Sequence, residues 1–204
     1  MSLLDPGVNR RGEATRAAIE TERLILRVPD FADAPLVAGL VNDRRIAENT
    51  TRIPHPYRPA DAEDWITLAN ADARDQTLLI TLRDGGSVIG ACSLEWRGGP
   101  HPEIGYWLGV PYWGKGYATE AVQTLIDRGF DELGNDAVEG GARPTNAASR
   151  RVLEKCGFQW TGVGLYRIRA INSSAPFDRF RLERRIWASL KRWGQTKTRV
   201  HGIA

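Results

Sequence analysis

The stretch that most constrains the fold of this chain is residues 104–121, which read IGYWLGVPYWGKGYATEA. Its first half is rich in aromatic and β-branched residues, which predicts a strand over residues 104–110. Pro111 has no N–H, so regular ladder pairing must loosen there. After Gly116 the apolar residues recur at helical spacing. The stretch therefore predicts a strand, a glycine turn and a helix in succession.

The glycine turn has the properties of an anion-binding site. Gly114 and Gly116 have no Cβ atoms, so another group can approach the backbone and φ can be positive. The first N–H groups of the following helix lack intrahelical partners and lie at the positive end of its dipole. This combination favours a phosphate ligand. A tight turn that binds nothing is the alternative reading.

Two common phosphate-binding motifs fit this turn poorly. A Walker A loop needs Ser or Thr after Gly-Lys to bind Mg²⁺, and this chain has Gly116 there. The dinucleotide fingerprint needs Gly or Ala where this chain has Thr119, and its strand should open a βαβ pair. A nucleotide-binding kinase is therefore a distant alternative.

Composition indicates one ordinary globular domain. The chain has 204 residues, with 42% hydrophobic and 26% charged residues. It shows no apolar run of membrane-span length and no signal peptide. Cys92 and Cys156 are read as reduced thiols, and the three histidines lack metal-ligand spacing. We therefore expect a cytoplasmic protein with no metal and no membrane partner, whose net charge of +3 permits an anionic ligand.

The order of predicted elements indicates an α/β (α+β) fold. Helices are expected near Phe31, at Pro59, after Gly116 and from Asn146. A hairpin is expected at the DGG of residues 84–86. Strands are expected at residues 24–26, 77–83, 87–96, 103–110, 136–142, 158–168 and 179–187. Strands followed by alternating strands and helices predict a mixed sheet with helices on both faces.

Three ordered motifs carry a resemblance to a known family. Residues 113–121 (WGKGYATEA) are similar to the acyl-CoA pyrophosphate loop of the GNAT superfamily of N-acyltransferases. Residues 21–27 (TERLILR) resemble the first strand of its ribosomal-protein-alanine N-acetyltransferase branch. Residues 146–158 (NAASRRVLEKCGF) resemble the second cofactor motif of that branch.

The resemblance spans residues 21–187 and implies one GNAT domain, with a mostly antiparallel sheet that contains a splayed strand pair. Residues 1–20 would then be an N-terminal extension, and residues 188–204 a basic C-terminal tail. A solvated surface is the simpler reading of that tail, and an RNA-binding extension is the other. Ribosome association is thus an expectation, and a monomer and a homodimer are both open.

The resemblance implies acetyl-CoA as co-substrate, without a metal. The end of the splayed strand would leave backbone groups of Leu108 and Val110 free for the pantetheine amides. The Val110 N–H could also polarise the thioester carbonyl. Lys115 would add charge to the loop, although a solvated side chain is an equal alternative. The residues that would wrap the pyrophosphate are Trp113, Gly114, Lys115, Gly116, Tyr117 and Ala118.

The second motif contributes Asn146 and Ser149. Helix capping alone could explain Asn146. In the resembling family the Asn contacts pantetheine and the Ser lies near the thioester sulfur. No tyrosine stands between Tyr117 and Tyr166, which favours Ser149 as the proton donor or as the residue that orients a water. Cys156 is expected to pack at a helix end and not to carry an acetyl group.

Glu103 opens the central strand and is the candidate general base, acting directly or through water, with a surface carboxylate as the alternative. The acceptor side is expected near residues 54–57, with Arg97, His101 and Tyr166 at the rim.

The resemblance implies direct attack by a primary amine, preferably a protein N-terminal α-amine such as that of a ribosomal protein. A small-molecule amine, such as an aminoglycoside or polyamine, and a CoA-binding regulator without turnover are the alternatives.

Overall fold

The computed structural model describes residues 18–72 and 74–200. The helices are α1 (Ala34–Val41), α2 (Arg44–Ala47), α3 (Pro59–Ala71), α4 (Tyr117–Asp131), α5 (Ala147–Lys155) and α6 (Arg184–Val200). The strands are β1 (Ile19–Glu20), β2 (Leu24–Arg27), β3 (Gln76–Leu82), β4 (Val88–Glu95), β5 (Glu103–Leu108), β6 (Ala137–Ala142), β7 (Gln159–Ile168) and β8 (Ser173–Glu183).

The described strands form an 8-stranded sheet in the order β1-β2-β3-β4-β5-β6-β8-β7. Neighbouring strands are antiparallel except β5 and β6, which are parallel. The turn between β3 and β4 holds Gly85 at φ 78° and Gly86 at φ 64°, as a tight hairpin requires. The predicted mixed, mostly antiparallel sheet is confirmed.

Helices cover both faces of the sheet because successive strand residues point to opposite sides. On β3, Leu78 and Ile80 are buried in the cluster that contains Leu125 of α4. The residue between them, Leu79, is buried in a second cluster with Ile66 of α3. Strand β4 is buried along its whole length, since it lies between both layers. The two-sided arrangement of helices is therefore as expected.

Strands β5 and β6 part soon after they meet. Their ladder consists of two Cα pairs, Glu103 with Glu139 and Ile104 with Gly140. A Cβ atom on Gly140 would lie 2.9 Å from Ile104 Cγ2 and 3.2 Å from Leu153 Cδ2, so glycine permits this close approach. Beyond that point the strands diverge, which is the splayed pair that the resemblance implies.

The C-terminal region differs from its prediction. The strand expected over residues 179–187 begins earlier, at Ser173, and gives way to helix α6 at Arg184. Helical geometry stacks the ring of Trp187 on that of Phe130, with centroids 5.0 Å apart. Burial of this aromatic pair favours the helix over a longer strand.

The expected tails are described only in part. Residues 1–17 and 201–204 lie outside the described residues, and Ile19–Glu20 forms strand β1. In the basic tail, Lys191 Nζ lies 2.6 Å from Asp131 Oδ2, so this lysine is bound to α4.

Short helix α2 was not predicted. Within residues 18–72 and 74–200, every helix is too short or too polar to cross a membrane.

Candidate active site

The glycine turn has the backbone conformation that the sequence predicts. Gly114 has φ 76° and Gly116 has φ 83°, both in the left-handed region that favours glycine. Gly116 is the N-cap of α4, so the loop leads directly into the first turn of that helix.

A cavity of about 1280 Å³ lies beside this loop. The predicted site residues on its wall are Glu103, Leu108, Trp113, Gly114, Gly116, Tyr117, Ala118, Asn146 and Ser149. Val110 and Lys115 do not line the cavity as described. Val110 packs half-buried against the second core cluster, and the exposed Lys115 side chain lies with Nζ 5.8 Å from the Tyr112 ring centroid.

The parted strand directs backbone groups into the gap. The Gly109 N–H donates to Ile89 O on β4 at 2.9 Å. Because hydrogen-bonding directions alternate along a strand, the backbone groups of Leu108 point to the opposite edge. The Leu108 carbonyl accepts from Trp113 Nε1 at 2.7 Å, and the Val110 carbonyl accepts from the Trp113 N–H at 3.2 Å. The expectation that both residues keep their backbone groups free is therefore wrong for the carbonyls, because the following turn folds back on them.

The second motif is built as a capped helix. Asn146 Oδ1 accepts from the Ser149 N–H at 3.1 Å, which confirms the capping role. Within the described chain, the Asn146 Nδ2 group has no hydrogen-bond acceptor, so capping leaves it available to a ligand in the cavity. One residue can thus cap α5 and contact a bound molecule.

Tyr106 supplies a hydroxyl that sequence reasoning missed. Its Oη lies 2.7 Å from Ser149 Oγ and 3.0 Å from the Ser149 carbonyl oxygen. Burial raises the pKa of Tyr106, and the Ser149 hydrogen bond offsets this only partly, so the phenol is neutral and can donate a proton. Tyr106 precedes the stretch between Tyr117 and Tyr166 and lies on β5. The alternation of β5, which places Tyr106 on the α4–α5 face with Ile104, was the available signal.

Glu103 belongs to a row of side chains whose charges alternate in sign, the charge ladder. It lies opposite Glu95 across β4 and β5, and Arg97 Nη1 donates to Glu103 Oε1 at 3.1 Å. Arg97 also lies 3.5 Å from Glu95 Oε2, which Arg52 pairs with as well. Arg52, Glu95, Arg97 and Glu103 thus alternate in sign along the cavity wall.

The two carboxyl groups of the charge ladder, Glu103 and Glu95, have pKa values shifted in opposite directions. Burial raises the pKa of Glu103 above its usual range, and Arg97 opposes this without cancelling it. Burial would also raise the pKa of Glu95, but Arg52 and Arg97 outweigh it and the pKa is lowered. A raised pKa makes Glu103 the better proton acceptor of the two.

The two candidate proton-transfer groups lie on opposite faces of β5. Glu103 and Tyr106 stand at alternate parity on the strand, so their side chains leave opposite sides of the sheet. Both nevertheless line the same cavity, because the gap between β5 and β6 connects the faces. A molecule in the gap can therefore meet a base on one side and an acid on the other.

The far side of the cavity contains much of the predicted acceptor region. Pro54, Tyr57, Arg97 and Tyr166 line it, whereas His101 is outside its described wall. Cys156 does not fit a covalent role. Burial raises the pKa of its thiol to about 12, and Sγ lies 3.9 Å from Thr119 O in the packing between helices.

Comparison with known proteins agrees with this architecture. The Acetyltransferase (GNAT) domain family matches residues 23–159. The uncharacterized N-acetyltransferase p20 of Bacillus licheniformis is 32% identical over 147 residues, which cover 70% of this chain and 83% of that protein.

Two solved structures have the same fold. The ribosomal-protein-S5-alanine acetyltransferase of Vibrio fischeri has a TM-score of 0.70 at 20% identity and covers 84% of this chain and 98% of its own. The microcin C7 self-immunity acetyltransferase MccE, solved with acetyl-CoA and AMP, has a TM-score of 0.69 at 20% identity. The match covers 80% of this chain and 93% of that protein's chain. The chain belongs to the GNAT family and is an acyltransferase of the N-acetyltransferase type, a family that uses acetyl-CoA.

Proposed function

We propose that this enzyme transfers the acetyl group of acetyl-CoA to a primary amine by direct attack, and that its preferred acceptor is a protein N-terminal α-amine. The observation that carries the proposal is the gap between β5 and β6. It joins the glycine loop and the Tyr106–Ser149 pair on one face to Glu103 on the other, within one cavity.

The cavity fits an extended anionic thioester. At one end, the positive φ of Gly116 and the N-terminus of α4 suit a pyrophosphate. In the gap, the Leu108 N–H and the Asn146 Nδ2 group suit pantetheine amides. When bound, acetyl-CoA supplies the activated acetyl group, and the residues around it bind and orient that group.

The protein's own groups handle two protons. Glu103, directly or through a water, accepts the proton that the attacking amine loses. The new C–N bond forms as the C–S bond breaks, and the departing thiolate takes a proton from Ser149. Tyr106, hydrogen-bonded to Ser149, replaces that proton or holds the serine hydroxyl in position.

The choice of acceptor follows from the cost of making an uncharged amine. A protein α-amine has a pKa near 8 and a lysine one near 10.4, a gap of roughly 2.5 units or about 3.4 kcal/mol. A single carboxylate whose pKa is raised mainly by burial is a modest base, which is better matched to the α-amine. The shared fold of the ribosomal-protein-S5-alanine acetyltransferase supports the same choice.

A small-molecule amine is the second candidate. The neighbour MccE was solved with AMP beside acetyl-CoA, and the cavity here has room for a compact acceptor as well as the thioester. A CoA-binding protein without turnover would keep the same loop and gap.

The deciding experiment measures CoA release with matched acceptors. The panel contains N-terminal peptides of ribosomal proteins, the same peptides with the α-amine blocked and an internal lysine kept, and aminoglycosides and polyamines. Faster turnover of the free α-amine peptides supports the proposal. Turnover of only the small amines makes the second candidate correct, and CoA binding without any turnover indicates the regulator.

A further inference from the structure

The first hairpin of the sheet is hydrogen-bonded to the first turn of α4. Thr21 Oγ1 donates to Glu120 Oε1 at 2.6 Å, and the Arg23 N–H donates to the same oxygen at 2.9 Å. Arg23 Nε donates to the other carboxylate oxygen at 2.7 Å. Both carboxylate oxygens of Glu120 are therefore bound to the segment between β1 and β2.

The same arginine reaches the glycine loop. Arg23 Nη1 donates to the Lys115 carbonyl oxygen at 3.0 Å, and its guanidinium carbon lies 4.8 Å from the Tyr117 ring centroid. Lys115 and Tyr117 flank Gly116 on either side. Arg23 thus holds the loop from its outer side at the point where the helix begins.

This contact sets the direction of the Gly116 N–H. A trans peptide is planar, so the carbonyl of one residue and the N–H of the next point in opposite directions. Arg23 holds the Lys115 carbonyl on its own side, so the Gly116 N–H points away from Arg23. Gly116 lines the cavity, and the two left-handed glycines of the loop, Gly114 and Gly116, give its backbone little stiffness of its own.

The negative charge of Glu120 lies in the first turn of α4 and needs a partner if the loop is to bind a phosphate. A carboxylate near an anion-binding loop would repel a phosphate if it were unpaired. Burial alone would raise the pKa of Glu120, but hydrogen bonds from Thr21 and Arg23 outweigh it and the pKa is lowered. The carboxylate is therefore ionised and is neutralised by the arginine that holds the loop.

We propose that Thr21, Arg23 and Glu120 are positioning residues that orient the glycine loop, and the Gly116 N–H in particular, for the pyrophosphate of acetyl-CoA. This inference rests on the proposed role of the loop. It assigns the 21–23 segment a part in donor binding, although that segment is not in the cavity wall.

The test uses substitutions that keep the net charge. Arg23→Lys retains the positive charge but cannot bond to both Glu120 and the Lys115 carbonyl, since lysine lacks the planar fork. We expect the CoA dissociation constant, measured by calorimetry, to rise about tenfold or more. The control Arg74→Lys alters a similar ion pair with Asp72, 2.8 Å long and away from the cavity, and should leave it unchanged.

A second pair tests the hydroxyl of Thr21. Thr21→Val removes the bond to Glu120 and should weaken CoA binding, and Thr21→Ser should restore most of it. S-acetylpantetheine, which lacks the pyrophosphate, separates positioning from general damage. Its kcat/KM with an amine acceptor should stay within about twofold in Arg23→Lys, whereas that of acetyl-CoA falls.

Each outcome decides one point. Equal losses with both donors, together with a lower Tm, would mean that these residues only stabilise the fold. Unchanged CoA affinity in Arg23→Lys and Thr21→Val would also overturn the inference. Wild-type protein that binds CoA but acetylates no amine would overturn the proposed function alone, because the CoA affinities still decide the positioning role. Wild-type protein that binds no CoA would overturn both.

Discussion

The Tyr106 hydroxyl lies 2.7 Å from Ser149 Oγ and joins strand β5 to helix α5 across 43 residues of sequence. A neutral phenol and a serine hydroxyl at this distance form a short proton path beside the gap in the sheet. The path ends where the splayed strands would receive the thioester, so both hydroxyls become targets for substitution.

Ser149→Ala is expected to lower kcat by about 10²-fold or more, the scale of general acid catalysis. CoA affinity should fall much less, because capping of α5 uses the Ser149 backbone N–H, which alanine keeps. Steady-state kinetics and calorimetry measure the two quantities. A loss confined to CoA affinity would make Ser149 a binding and capping residue only.

Tyr106→Phe, the matched variant, keeps the ring and removes one hydroxyl. A smaller loss of kcat than in Ser149→Ala is expected if Tyr106 acts through the serine. A larger loss would instead identify Tyr106 as the proton donor.

Glu103→Gln is expected to lower kcat/KM most between the pKa of Glu103 and that of the acceptor amine, where the wild-type carboxylate is ionised and the amine is still protonated. As the pH approaches the pKa of the acceptor amine, solvent supplies the free amine and the deficit should shrink. For an α-amine this recovery should appear near pH 8, and for a lysine only well above it. A Glu103→Gln variant with wild-type kcat/KM at every pH would show that another group or a water is the base.

Arg97→Gln should shift the acidic limb of the kcat/KM profile to higher pH. Arg97 lowers the pKa of Glu103 against the raising effect of burial, so its removal leaves the carboxyl protonated over a wider range. The base acts only when ionised, so kcat/KM of Arg97→Gln rises at a higher pH than that of wild type. Arg74→Gln serves as the control. A limb that stays in place or moves to lower pH would contradict the pairing of Arg97 with the catalytic carboxylate.

Gly116→Val should abolish CoA binding while the protein stays folded. A Cβ atom on Gly116 would lie 3.3 Å from Arg23 Nη2, so the branched side chain pushes against the guanidinium that holds the loop, and the positive φ adds strain of about 1–2 kcal/mol. Gly85→Val places the same strain in the β3–β4 hairpin, at φ 78° with open space around it. Both variants should lose stability, and only Gly116→Val should lose CoA affinity by calorimetry. Equal CoA affinity in the two variants, with intact circular dichroism, would reject the loop assignment.

Activity is expected to be independent of divalent cations. The hydroxyl that binds Mg²⁺ in a Walker loop is replaced by Gly116, and the proposed acid and base are side chains of the protein. Acetyl transfer should be the same with and without EDTA. Activity that EDTA removes and Mg²⁺ or Zn²⁺ restores would count against the mechanism.

Local chemistry determined much of this protein from sequence alone. The strand–turn–helix of residues 104–121 follows from side-chain periodicity and from two glycines that can adopt positive φ. The hairpin at residues 84–86 and the Asn146 cap have equally local causes. These features depend on neighbours a few residues away, which is why a linear pattern predicts them.

Tertiary structure alone decided which side chains meet at the candidate active site. The approach of Tyr106 to Ser149 and the charge ladder around Glu103 depend on which strands pair, in which register, and where β5 leaves β6. The change from strand to helix at Arg184 depends on burying Trp187 against Phe130. These contacts join residues far apart in sequence, and their free energy comes from burial and hydrogen bonding that exist only once the sheet and its helices have assembled.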